Sequence, residues 1–217
     1  MAGRLSECRL FFREFRQHFH TTGAILPSGR PLCKALARYV RQTPVPKRVL
    51  EVGPGTGAVT RWILDGLGTE DRLDLVELNE SFVKRLRERF ETEPNFQALA
   101  DRARVLHGSV EDLPADAPYD VIVSGLPLNN FSVAMVDCIL DALCGLGRPG
   151  GTLSFFEYIA IRRVRALTSG RTERDRLRGI GRVLNTLLEG REIRRERVCF
   201  NIPPAWVHHV SLGGNQK

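Results

Sequence analysis

The chain has 217 residues, 42% of them hydrophobic, enough for one substantial core and short for two complete domains. No apolar run approaches the length that spans a bilayer, and the arginine-punctuated N-terminus lacks a signal-peptide core, so a cytoplasmic location is expected. The net charge of +7 hides a segregation: residues 1–48 hold ten basic and two acidic side chains, 49–161 nine and eighteen, and 162–217 thirteen and five. Two readings remain for the basic ends, a face directed at anionic lipid or nucleic acid and an ordinary solvated surface. Cys8, Cys33, Cys138, Cys144 and Cys199 are odd in number and show no CxxC spacing. They read as small buried apolar residues, with neither a disulfide framework nor a zinc cluster.

In chain order, Leu5, Cys8, Phe11, Phe12, Phe15 and Phe19 fall on one arc of a helix, with Arg9, Arg13 and Arg16 along its shoulder. That composition fits a helix lying in a membrane interface, and equally one packed on a sheet with its arginines in water. The following TTGAILPSGRPL, Thr21 to Leu32, breaks the helix at Gly23 and Pro27 and reads as a covering loop. These features make 1–47 an N-terminal element and 48–217 the main domain.

Short apolar strands are predicted at Arg48–Val52, Leu73–Glu77, Arg104–His107, Tyr119–Ser124 and Thr152–Tyr158. Helical patterns at Ala58–Leu67, Glu80–Thr92 and Val133–Leu146 separate them, and Glu173–Leu188 follows. Alternation of this kind gives an α/β fold with a doubly wound parallel sheet, whose ligands gather at the carboxyl ends of the strands. Glu192–Asn201 and Trp206–Leu212, flanking Ile202-Pro203-Pro204, read as a closing antiparallel hairpin.

The most informative stretch is Val49 to Gly57, VLEVGPGTG, an apolar strand entering three closely spaced glycines. Glycine admits positive φ and lets a ligand approach main-chain amides. Ala58, Val59, Thr60 and Arg61 follow, without the Lys-Ser or Lys-Thr of a phosphate loop, and the GxGxG spacing is not GxGxxG. Glu51 precedes the turn, and about twenty residues on Glu77 ends the next strand, where a carboxylate can accept both ribose hydroxyls.

This pattern resembles motif I of the class I S-adenosylmethionine-dependent methyltransferases. The resemblance implies a seven-stranded Rossmann-like sheet and S-adenosylmethionine as cofactor. It is held by Glu51, Gly53, Gly55, Gly57, Glu77, Leu78 and Ser124, with Ser109, Val110 and Glu111 at the adenine. Ser109 stands where Asp is common, and Val110 and Glu111 read equally as an ordinary helix start.

Ser124-Gly125-Leu126-Pro127-Leu128-Asn129-Asn130-Phe131 follows the fourth strand, at the position that faces the methyl group in such enzymes. Enzymes that methylate a base amino group place Asn or Asp and an aromatic there. Ser124 and Leu128 supply neither, and an apolar, backbone-lined turn suits a flexible aliphatic amine. With TGAILPSG and SGLPL, the stretch from about residue 8 to 160 resembles the bacterial phospholipid N-methyltransferases, which methylate phosphatidylethanolamine, with related enzymes acting on other amino-lipids such as ornithine lipid. It also resembles the ribosomal RNA adenine dimethyltransferases, whose Asn-containing fourth motif is missing.

The lipid resemblance implies an amino-lipid substrate, peripheral association with the inner face of an anionic membrane, no nucleic acid and no obligate protein partner. Leu126, through its carbonyl, and Tyr158, at the end of the fifth strand, are the expected catalytic residues. Thr22, Gly23, Leu126, Pro127, Tyr158 and Arg162 are the expected substrate contacts, Arg162 within a basic run that could clamp a lipid phosphate. Glu157 is a weaker alternative to Tyr158. Of His208 and His209 at most one reaches the site, and no metal is expected.

Overall fold

A computed structural model of the chain describes residues 29–44, 46–114, 117–159 and 170–213. The predicted amphipathic helix and most of the covering loop, with Thr22, Gly23 and Arg162, lie outside those residues.

Strands β1 (Arg48–Val52), β2 (Arg72–Glu77), β3 (Ala103–His107), β4 (Tyr119–Ser124), β5 (Gly147–Tyr158), β6 (Glu192–Val198) and β7 (Ala205–Ser211) form one sheet. Its order is β3-β2-β1-β4-β5-β7-β6, and β7 alone runs against the other six strands. This is the seven-stranded arrangement the sequence pattern predicts. The helices are α1 (Arg30–Leu36), α2 (Arg38–Gln42), α3 (Thr60–Leu64), α4 (Glu80–Thr92), α5 (Pro94–Gln97), α6 (Val133–Leu146) and α7 (Arg171–Leu188).

The sheet is apolar on both faces because helices cover both. Alternation along β1 and β4 sends Val49, Val121 and Val123 to one side, where they meet Leu32, Leu36 and Val40 of α1 and α2. Leu50, Val52 and Ile122 go to the other, against α6 and α7. The helices over residues 30–42 are not among the predicted elements. Leu32, Cys33, Leu36 and Val40 recur at helical spacing there and are all buried.

Predicted and observed boundaries agree for β1, β4, α4 and α6, whose periodicity is strong. Asn79 caps α4 by accepting from the Ser81 and Phe82 amides, and Ser132 caps α6 at Met135. The helix at 58–67 contracts to five residues, Thr60–Leu64, because the tight turn at Gly57 consumes its start. Two cysteine expectations are corrected. Cys138 is disulfide-bonded, and Cys199 is an exposed free thiol in the β6–β7 turn. Spacing motifs carry no information on cysteines distant in the chain.

The amino-terminal side of the sheet is closed by ion pairs. Lys47 Nζ lies 2.5 Å from Asp71, both buried, and Arg104 grips Asp74 through two bonds of 2.7 and 2.8 Å. Arg148 meets Asp120 at 2.6 Å. Burial pushes the Asp74 carboxyl up, but Arg104, the Tyr119 hydroxyl and Arg48 outweigh it and leave it below its usual range.

Both histidines of β7 are structural. His208 stacks on Phe155 with Nδ1 2.6 Å from Glu192. His209 Nδ1 lies 2.8 Å from Ser154 Oγ and Nε2 3.2 Å from Glu196, which Arg38 holds through two hydrogen bonds. Ser154, His209 and Glu196 reproduce the residue types of a nucleophilic triad, but Ser154 and His209 are wholly buried, so no substrate reaches them.

Desolvation pushes His209 down from 6.5 to about 4, against the pull of Glu196. The unfolded chain therefore binds this proton before the folded one does. The stabilisation is complete above the unfolded value and is lost as pH falls from 6.5 towards 4. Comparing wild type with His209→Gln by denaturant unfolding, we expect the wild-type advantage to shrink by about 3 kcal/mol between pH 7 and pH 4.

Candidate active site

The site forms where β1 and β4 end side by side. Their parallel register pairs Val52 with Ser124, so the glycine turn and the Ser124–Leu128 turn leave the sheet together. The Gly53 amide donates to Val76 O at 3.0 Å and the Gly125 amide to Val52 O at 2.8 Å, extending the ladder past the strand ends. A Cβ on Gly125 would sit 2.6 Å from Gly53 O, and one on Gly53 would meet Leu126 Cδ2 at the same distance. Gly53, Gly55 and Gly57 have φ of 69°, 57° and 84°, the left-handed region that other residues avoid.

Glu77, 5% exposed, accepts from the Gly55 amide at 3.0 Å through Oε2 and from the Asn79 amide at 2.9 Å through Oε1. It thus ties the glycine turn to the start of α4, and each oxygen keeps a lone pair for a further donor. Burial raises its carboxyl above the usual range against those amide bonds. Glu51 is fully buried and neither of its carboxylate oxygens has a hydrogen-bond partner. Desolvation, with the Glu77 charge adding to it, pushes Glu51 up to about 8.

On the next loop, Ser109 Oγ donates to Glu111 at 2.6 Å, and Val110 is buried in the core. Gly108 has nothing within 4 Å of the position a Cβ would take, and neither has Gly55. Leu78 follows Glu77, with its carbonyl 3.2 Å from His107 Nε2. Ser124 is buried, its Oγ accepting from the Leu126 amide at 3.4 Å.

The two expected catalytic groups are not brought together. Leu126 packs towards the α6–α7 face, while the Tyr158 ring is buried on the α1 face, edge-on to Phe156 at 5.0 Å. Leu126 O already accepts from the Leu128 amide at 3.0 Å, leaving one lone pair. Pro127 is buried and its carbonyl accepts from the Asn130 amide. Glu157 turns to the opposite face from Tyr158, 3.5 Å from His208 Nε2. Among the described residues no group of acidic, histidine and cysteine side chains could hold a metal.

Three features escape sequence reading. Asn129, 2% exposed, has a carboxamide with no hydrogen-bond partner at either atom, inside the same turn as Ser124 and Leu128. Arg176 of α7 donates to Asn129 O at 2.9 Å and to Phe131 O, and is itself held by Glu173 at 2.7 Å. One arginine of the basic run thus fastens this turn, while Arg171, Arg174, Arg178 and Arg182 are exposed. Arg89 of α4 similarly donates to Thr56 O at 2.7 Å and Gly57 O at 3.0 Å. Asn129 was legible only as a polar residue in an apolar turn, and no sequence signal distinguishes Arg89 or Arg176 from other arginines.

Residues 49–151 match the family described as Methyltransferase domain. The ornithine lipid N-methyltransferase of Singulisphaera acidiphila is 27% identical over 145 residues, 67% of this chain and 74% of that protein. The ribosomal RNA small subunit methyltransferase A of Pseudomonas syringae pv. syringae is 33% identical over 118 residues, 54% of this chain but 39% of its own length. Among solved structures, the O-methyltransferase TomG of Streptomyces achromogenes, in complex with S-adenosylmethionine, superposes with a TM-score of 0.64 at 18% identity. It aligns over 97% of this chain and 90% of its own. An O-methyltransferase of Bacillus cereus in complex with S-adenosylhomocysteine gives 0.63 at 17%, over 96% and 90%.

The fold is that of the class I S-adenosylmethionine-dependent methyltransferases, and the matched segment, 49–151, contains both turns of the site. The residues present fit that cofactor. Glu77 keeps acceptor capacity for ribose hydroxyls, Gly55 and Gly108 leave open space, and the buried Glu51 carboxyl lacks a donor that a cationic, polar ligand would bring.

Three outcomes are expected. A raised Glu51 costs folding stability as pH climbs from 4.5 to about 8, so Glu51→Gln should be the more stable form at pH 8, its advantage shrinking towards pH 5 in thermal unfolding. The same variant should bind S-adenosylmethionine more weakly by calorimetry. Gly125→Ala should lower cofactor affinity by about tenfold or more, since the new methyl meets backbone that cannot move aside.

Proposed function

We propose that the protein transfers the methyl group of S-adenosylmethionine to the amine of a membrane lipid headgroup. The observation that carries this reading is the turn after β4. Its Ser124–Leu128 segment is backbone and apolar side chains, with no aromatic ring on which a planar base could stack and a serine where a base-amine enzyme has an amide or acid. The match to an ornithine lipid N-methyltransferase supports the same acceptor class.

When bound, the cofactor supplies an electrophilic sulfonium methyl, so the chain need only position an unprotonated amine in line with it. Glu77 would hold the ribose hydroxyls, the Gly53–Gly57 amides the amino-acid portion, and Ser109, Val110 and Glu111 the adenine. The free lone pair of Leu126 O would orient an amine N–H. The Tyr158 hydroxyl, raised by burial and so protonated at neutral pH, can serve only if the headgroup enters from the α1 face. Arg176, by fixing Asn129 and Phe131, keeps the acceptor turn at one height above the sheet. Thr22, Gly23 and Arg162 remain proposed headgroup contacts, and peripheral attachment to the cytoplasmic membrane face is part of the same proposal.

A second reading, methylation of a base amino group in RNA, draws on Asn129 and on the 33% identity to a ribosomal RNA methyltransferase. Its amide would then accept from an exocyclic amine.

Incubation with labelled S-adenosylmethionine should methylate vesicles containing phosphatidylethanolamine or ornithine lipid and leave ribosomal RNA unlabelled. Labelled RNA with unlabelled lipid would replace the first reading by the second. Arg176→Met should lower kcat by about tenfold or more with little change in cofactor affinity, because it loosens the acceptor turn alone.

A further inference from the structure

We infer that the turn joining β6 to β7 is a membrane-docking element that seats Phe200 and Ile202 in an anionic bilayer and brings the carboxyl edge of the sheet down onto it. Phe200 is 90% exposed and Ile202 85%. Among the described residues one other large hydrophobic side chain is exposed, Ile193, on the same hairpin. Water offers no reward for leaving two such neighbours uncovered, whereas the acyl boundary of a membrane does.

The turn stands on the edge where the active site opens. Val198 and Tyr158 both pair with Ala205, so residues 199–204 project beyond the carboxyl end of β5, and the Ile159 amide donates to Pro204 O at 2.9 Å. It is also held in shape. Asn201, buried between the two exposed residues, accepts from the Gly29 amide at 2.9 Å and donates to Pro203 O at 2.7 Å. A loop pinned through its middle residue presents its apolar neighbours without further ordering cost.

Charge selects the kind of surface. Arg194, Arg195 and Arg197 line the exposed β6 strand that leads into the turn. Arg195 and Arg197 lie over the Trp206 ring, 5.1 and 5.9 Å from its centre, and neither has a carboxylate partner among the described residues. Apolar tips flanked by cations and an indole match the headgroup boundary of an anionic leaflet, where rings and guanidinium groups are both accommodated. This inference rests on the lipid-amine reading for its purpose, but its binding step requires no amine.

The test uses the full chain and vesicles of phosphatidylglycerol with phosphatidylcholine, which lack any amino-lipid acceptor. Wild type should sediment with them, and Phe200→Ser/Ile202→Ser should bind about a hundredfold more weakly, roughly tenfold for each apolar side chain. Arg195→Gln/Arg197→Gln should flatten the salt dependence. Cofactor affinity of both variants should match wild type, since none of the four residues touches that site. In Phe200→Trp, brominated lipid should quench the new indole, a direct readout that does not depend on other membrane-binding segments. Unchanged vesicle affinity in the Phe200/Ile202 variant, or an unquenched indole, overturns the inference. So does conversion of a dimer to a monomer by that variant with vesicle binding intact, which would make the turn an interface between copies. Vesicle binding of this kind without methyl transfer to any aminolipid leaves the docking element supported and removes the lipid-amine reading.

Discussion

The structure depends on the contact between two turns that have no room for side chains. Because β1 and β4 are neighbours in a parallel sheet, the chain leaving each must pass the other within backbone distance, and Gly125 lies so close to Gly53 O that a methyl group would collide with it. That approach sets the glycine turn against the Ser124–Leu128 turn, the supports of cofactor and acceptor in the proposed reaction. In the proposed methyl transfer, where the donor is already activated, a contact that fixes both supports contributes through alignment.

Polar groups are distributed to suit. At the amino-terminal side, Lys47–Asp71, Arg104–Asp74 and Arg148–Asp120 satisfy every participant and hold strands together. At the carboxyl edge, the Glu51 carboxylate and the Asn129 carboxamide are buried without partners. An uncompensated buried polar group costs about 1–3 kcal/mol, more when charged, and a protein retains it where a ligand removes the cost. The raised Glu51 follows from that imbalance: burial, aided by the Glu77 charge, outweighs what the neighbouring Thr60 and Arg89 offer its charged form.

Arginine carries three separate tasks. Arg89 and Arg176 reach from helices to loop carbonyls and fix the two turns from outside. Arg38 compensates Glu196 and, through it, His209, joining α2 to the β6–β7 hairpin. Arg195 and Arg197 face solvent over an indole and have charge to spare for a partner. The planar fork explains the first two tasks, since two carbonyls or two carboxylate oxygens are met at once.

The sequence by itself determined the strand–helix alternation, hence the sheet, and the glycine turn with Glu77 at the neighbouring strand end. Each depends on interactions within a few residues or on the period of apolar side chains, and both are written along the chain. It did not disclose α1 and α2, which at seven and five residues show barely one or two turns of periodicity, nor the disulfide at Cys138, nor the opposed faces of Leu126 and Tyr158. Those depend on which surfaces meet after folding. The same holds for the choice of Arg176 from a run of arginines, for the sealed Ser154–His209–Glu196 network, and for the exposure of Phe200 beside the buried Asn201. Burial and partnership are properties of distant segments brought into contact, and only the tertiary structure decides them.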